Sequence, residues 1–169
     1  MHFFNYTFTP FGIIIVLFAV IFSSPEKSDT ISSLIILILQ FLINYYFFKN
    51  IYQFKKPNII RLSLVMFNII TTAIVFYFIT AYWSPSWLLF TMPSAFAATF
   101  LNRKQTILIA LISTASMFFV YWLRAYLLEL EISTPTWTMA LSNGLFIIVL
   151  SVFINNMSET IVKMRSNIR

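Results

Sequence analysis

The chain has 169 residues, 60% of them hydrophobic and 9% charged, with 20 Phe, 8 Tyr, 4 Trp and 2 Gly. Soluble domains carry about 25% charged residues, so this composition excludes a water-soluble globule and leaves the lipid bilayer as solvent for most side chains. Cysteine is absent and His2 is the single histidine, which excludes a disulfide framework, a thiolate nucleophile, a Cys/His zinc site and a bis-histidine haem, while the net charge of +6 asks for an origin.

Apolar runs of about 20 residues, the length a helix needs to cross the hydrocarbon at 1.5 Å per residue, give six predicted spans that fill nearly the whole chain. The first ends at Ser23. It starts either near Phe3, with Pro10 inside it, or at Thr9-Pro10, with Thr9 as N-cap and Pro10 at the first helical position. The run lacks the basic flank of a signal peptide and reads as a helix. The second and third spans cover Ile31 to Phe48 and Ile59 to Tyr82. The fourth, Ser86 to Leu101, carries Pro93 in its interior, where the missing N–H predicts a kink. The fifth and sixth cover Thr106 to Leu128 and Thr136 to Asn155. Turn and charge chemistry separates them, as in Ser24-Pro25-Glu26-Lys27, Trp83-Ser84-Pro85 and Asn102-Arg103-Lys104.

Alternate loops differ sharply in charge. Lys49, Lys55, Lys56, Arg61, Arg103, Lys104, Lys163, Arg165 and Arg169 share one side with Glu159. Lys27 and Arg124 share the other with Glu26, Asp29, Glu129 and Glu131. The positive-inside rule then puts both termini in the cytoplasm, which an even number of spans permits. Trp83, Trp87, Trp122 and Trp137 fall at the opposite ends of their spans, at headgroup level. Topology and anionic lipid therefore account for the basic surplus without nucleic acid.

Few side chains here can carry chemistry. Arg124, near the outer end of the fifth span, reads as an interfacial anchor or a ligand contact. Gln40, Asn44, Asn68 and Asn143 are buried polar candidates for interhelical hydrogen bonds or, alternatively, for ligand binding, and the kink at Pro93 can make a hinge or a pocket. Small residues pair at i,i+4 as Ser94 with Ala98, Ala95 with Thr99 and Ala110 with Thr114, which predicts close packing of the fourth and fifth helices. Lys55, Lys56, Arg103 and Lys104 are the candidate inner-face contacts for a partner. No phosphate-binding, metalloprotease, nucleophile-elbow or paired-acid motif occurs, so neither catalysis nor a cofactor is expected.

From the end of the sixth span, Ile154, Met157, Ile161, Met164 and Ile168 recur at spacings of 3, 4, 3 and 4, the a/d pattern of a coiled coil, among polar residues broken only by Val162. Glu159 and Lys163 form an i,i+4 pair in the favourable order. The last helix is thus expected to continue from the membrane into residues 156–169 as a dimerising stalk or a basic amphipathic helix on the inner leaflet. Residues 1–155 form the transmembrane domain in this reading.

The run Trp83-Ser84-Pro85-Ser86-Trp87-Leu88-Leu89, the segment Pro93-Ser94-Ala95-Phe96-Ala97-Ala98, the turn Leu101-Asn102-Arg103-Lys104 and the heptad exit from Ile154 to Ile168 together cover about a third of the chain. In this layout the chain resembles the six-helix N-terminal membrane domains of bacterial sensor proteins, which precede a histidine kinase, diguanylate cyclase or class III adenylate cyclase output domain. The resemblance implies a dimer whose membrane helices alter the packing of a cytoplasmic stalk. The expectation is therefore an all-α, six-span bundle acting as a sensor or anchor module, with a second copy or a cytoplasmic protein as partner. The alternative is a small subunit of a transporter or cell-envelope complex.

Overall fold

The computed structural model describes residues 2–129 and 133–167, with side chains for 10–129 and 133–164. Throughout these residues the chain is helical or in turns. The elements are α1 (His2–Ser23), α2 (Lys27–Lys49), a 3-10 turn (Ile51–Gln53), α3 (Pro57–Ile79), a 3-10 segment (Ser84–Phe90), α4 (Thr91–Ala98), α5 (Arg103–Leu127) and α6 (Thr134–Asn167). Four of them, α2, α3, α5 and α6, are long and apolar enough to cross a membrane, consistent with an integral membrane protein. Large apolar side chains such as Ile38, Leu42, Ile70, Leu108, Leu145 and Val149 lie on the outside, as lipid-facing residues do.

Local chemistry sets the helix ends. α1 runs through Pro10, so of the two predicted starts the longer helix is the one adopted. Asp29 in the first turn of α2 and Lys49 in its last complement the helix dipole. Pro57 opens α3 at a position where its missing N–H removes no bond. The α5 helix begins at Arg103, three residues before the predicted Thr106, because Asn102 and Gln105 form a capping box: the Gln105 N–H donates to Asn102 Oδ1 at 2.9 Å and the Asn102 N–H to Gln105 Oε1 at 3.4 Å. In a chain so poor in glycine, left-handed backbone after a helix falls to Ser24 (φ 46°) and Glu129 (φ 52°). The Ser24 N–H closes α1 on the Val20 carbonyl.

The fourth span departs from expectation. Instead of one helix from Ser86 to Leu101, the chain forms seven residues of 3-10 helix and then the eight-residue α4. A proline explains the break. Pro93 cannot donate to the Leu89 carbonyl, so a continuous helix would lose a bond there; starting α4 at Thr91 places Pro93 in the first turn instead, where no donor is needed. The predicted kink within a helix is thus a change of helix type ahead of Pro93. An α-helix this short rises only about 12 Å.

Compactness divides the chain into two units, Met1–Leu89 and Phe90–Arg169. In the first, α1 packs on α2 and α2 on α3. Ile15, Val16 and Ala19 of α1 meet Leu37 of α2 and Val75 and Ile79 of α3 in an apolar core that Leu89 completes. Trp83 stacks on Phe18 at 6.0 Å, beside the end of α1.

In the second unit, α4 packs on both α5 and α6, and α5 on α6. Ser94, Ala95, Ala97 and Ala98 are buried, as the small-residue pattern predicts. The glycine contact, however, joins α5 to α6: a Cβ on Gly144 would stand 2.5 Å from Thr114 Cγ2. Trp122 stacks on Tyr126 at 5.7 Å and Trp137 on Phe118 at 5.9 Å, near the end of α5 and the start of α6. The 34 residues of α6 form one helix from Thr134 past Asn155. At 1.5 Å per residue it is about 51 Å long, against about 30 Å of hydrocarbon.

Candidate functional site

Two groups of buried polar side chains stand out, one in each unit. In the first unit, Ser33, Leu37, Gln40, Asn44 and Phe48 form the buried face of α2. Asn68 faces it from the middle of α3, eleven residues from either end. Gln40 Nε2 donates to Asn68 Oδ1 at 3.0 Å and Asn44 Nδ2 donates to the same oxygen at 2.9 Å. All three residues are at most 3% exposed. One carbonyl oxygen with two lone pairs therefore satisfies two amide donors across the α2–α3 contact. Gln40 Oε1 has no donor among the described residues.

Beyond the end of α3, the Tyr82 hydroxyl donates to Asp29 Oδ2 at 3.1 Å, tying the turn after α3 to the first turn of α2. Partial desolvation, reinforced by the Asp29 carboxylate, pushes the Tyr82 phenol above its ordinary value.

The second group answers the broken fourth span. The Phe90 carbonyl accepts from Ser94 Oγ at 3.0 Å and from Ser113 Oγ of α5 at 3.3 Å. At the other end of α4, Asn155 of α6 donates through Nδ2 to the Ala98 carbonyl at 3.0 Å and the Leu101 carbonyl at 2.9 Å. Ser158 Oγ, one turn on, donates to the Thr99 carbonyl at 3.2 Å. Short helices leave their last carbonyls without onward partners, and in hydrocarbon each such group costs several kcal/mol. Asn155 and Ser158 therefore act as a clamp on the carbonyl end of α4. Thr114 Oγ1 adds a bond to the Gly144 carbonyl at 3.4 Å.

Of the predicted residues, Asn68 lies in the first unit and Pro93, Asn143 and Arg124 lie in the second, on α4, α6 and α5 respectively. Pro93 is buried in the first turn of α4. Asn143 is half-buried on α6, with Nδ2 enclosed and no acceptor for it among the described residues. Arg124 is half-buried in the last turn of α5, where the helix dipole favours a cation. Lys55, Lys56, Arg103 and Lys104 are all exposed.

Along the predicted a/d face, Ile154 is half-buried, while Met157, Ile161 and Met164 are 49%, 56% and 54% exposed, so much of that face is open among the described residues. Ile168 lies outside the described residues. Sequence reasoning missed the role of Asn155 and Ser158. The available signal was an Asn and a Ser, one turn apart, at the end of an apolar span, which reads equally as its polar boundary.

No metal-binding group of three acidic, His or Cys side chains occurs among the described residues. The chain matches no known family model, no curated protein and no solved structure.

Proposed function

We propose that this chain is a non-catalytic membrane module of a signal-transduction system, a sensor or anchor that works through α6. In this reading α1 and the 3-10 segment with α4 complete six crossings of a bacterial cytoplasmic membrane, with both termini inside. The observation that carries it is α6 itself: one unbroken helix runs from the aromatic end of the second unit, through the Asn155–Ser158 clamp, into a heptad whose apolar face is largely open among the described residues. A clamp at the first turns of a stalk is where a displacement of α4 passes into helix rotation or separation. The occupant of the heptad face is a second copy, giving a parallel dimer, or a cytoplasmic effector helix.

The test uses the absence of cysteine from the chain. Single cysteines at positions 157 to 168, oxidised in native membranes, should give disulfide-linked dimers that peak at Met157, Ile161, Met164 and Ile168 and vanish at Lys163 and Ser166. A flat profile would overturn the dimeric stalk.

One observation favours a second reading, a small subunit of a transporter or envelope complex: the 3-10 segment and α4 form a discontinuous helix, the device transporters use around a binding site. That reading expects the flat profile, together with copurification of a partner lost on reversing the charges of Lys55, Lys56, Arg103 and Lys104.

A further inference from the structure

At the foot of the second unit, the turn after α4 and the exit of α6 border an open cavity of about 250 Å³, whose lining includes Thr99, Leu101, Asn155, Glu159, Val162 and Lys163. Its wall is rich in acceptors. The α4 helix ends here, so its carbonyls concentrate the negative end of the dipole. Because Asn155 Nδ2 is committed to the Ala98 and Leu101 carbonyls, the orientation of its carboxamide is fixed. Its Oδ1, on a residue 1% exposed, is then left without a donor among the described residues. Glu159 adds a carboxylate to the same wall. Lys163 adds a cationic group to the same lining.

We propose that this cavity seats the head group of a phospholipid that carries a primary ammonium beside its phosphodiester. An ammonium brings N–H donors to Asn155 Oδ1 and the Glu159 carboxylate, and Lys163 of the same lining suits the phosphate. The volume falls below that of pockets for drug-sized ligands. A choline head group has the same charges but no N–H, so it leaves the acceptors unpaired. A bare anion meets Glu159 and the carbonyl end of α4, both repulsive. The proposal rests on the membrane reading of the second unit and is independent of dimerisation.

The experiment reconstitutes the full chain in nanodiscs of equimolar phosphatidylethanolamine and phosphatidylcholine, releases it into detergent, and measures retained lipid by native mass spectrometry. Hydrogen bonds that only one of the two lipids makes predict about tenfold enrichment of phosphatidylethanolamine. Val162→Trp fills the cavity from an exposed position off the a/d face, and Glu159→Gln removes the carboxylate; neither touches the clamp, and both should bring the ratio close to one. The disulfide profile of the stalk should be unchanged in Val162→Trp, which separates failure of this site from failure of the signalling reading. Equal retention of the two lipids by the native chain, or enrichment that survives both substitutions, would overturn the proposal. So would displacement of the bound lipid by soluble glycerophosphoethanolamine, which would make the ligand a free head group.

Discussion

The two units bury polar groups in opposite ways. In the first, three carboxamides bond side chain to side chain across two full-length helices whose own backbones need nothing from them. In the second, Ser94, Ser113, Asn155 and Ser158 all donate to backbone carbonyls around one short helix. The contrast follows from where helices end. The change of helix type ahead of Pro93 leaves the Phe90 carbonyl, and the end of α4 leaves the Ala98, Thr99 and Leu101 carbonyls, as acceptors for the side chains around them. Side-chain pairing fixes the register of two helices, whereas donation to a helix end ties α6 to the end of α4.

The largest effect that tests this contrast concerns the two glycines, one in each unit. At Gly144 an added Cβ would meet the stiff, β-branched Thr114 at 2.5 Å, whereas at Gly12 it would meet the tip of Leu37, Cδ2, at 3.0 Å. A leucine tip can swing away and a threonine methyl cannot without turning the hydroxyl from its bond to the Gly144 carbonyl. Gly144→Ala should destabilise the protein by about 3 kcal/mol, and Gly12→Ala by less than about 1 kcal/mol, in thermal unfolding in detergent. Equal effects would mean that the α5–α6 approach is no tighter than α1–α2.

Next in size is the carboxamide group. Asn68→Leu leaves the amides of Gln40 and Asn44 without their shared acceptor and should cost about 1 to 3 kcal/mol. Replacing all three with leucine removes donors and acceptor together and should recover most of that loss, because the penalty belongs to orphaned groups. A triple variant less stable than the single one would show that the group fixes α2 against α3 beyond its hydrogen bonds.

Pro93 sharpens the comparison from the other side. In a helix interior proline costs about 3 kcal/mol relative to alanine, but in a first turn the cost nearly disappears. Since Pro93 occupies the first turn of α4, Pro93→Ala should change stability by under about 1 kcal/mol. A gain near 3 kcal/mol would show that the proline strains the native helix.

Much of this organisation is legible in the sequence, for reasons that differ by element. The helices α2, α3, α5 and α6 follow from uninterrupted apolar runs, and the pairing of Gln40 with Asn44 on one face from their i,i+4 spacing. Their meeting with Asn68 depends on how far α3 slides along α2, which no local pattern encodes. The spacing of Asn102 and Gln105 carries the early start of α5, but hydropathy alone puts that start at Thr106. The break at α4 is harder still. Pro93 says that something must give, while the choice between a kink and a change of helix type depends on the donors offered by Ser94 and Ser113. The clamp is the least legible feature, since Asn155 finds its acceptors 57 and 54 residues away, on carbonyls at and just past the end of α4 that only the tertiary packing brings to it.

The smallest predicted effect concerns pH and belongs to the first unit. The Tyr82 phenol, half-buried and donating to Asp29, holds its proton more tightly when folded than when unfolded. A raised folded value means that the stabilisation is fully present below the ordinary tyrosine range near 10 and is lost as pH rises from there through the folded value. The lost interaction is the tie between the turn after α3 and the first turn of α2, since a phenolate beside the Asp29 carboxylate repels where the phenol bonded. Thermal unfolding of the native chain should therefore weaken above pH 10 more steeply than that of Tyr82→Phe, and the two should differ by a small constant amount at neutral pH. Parallel curves across the alkaline range would mean that the Tyr82–Asp29 bond adds nothing to the fold and that the first unit is held at that end by Trp83 and Phe18 alone.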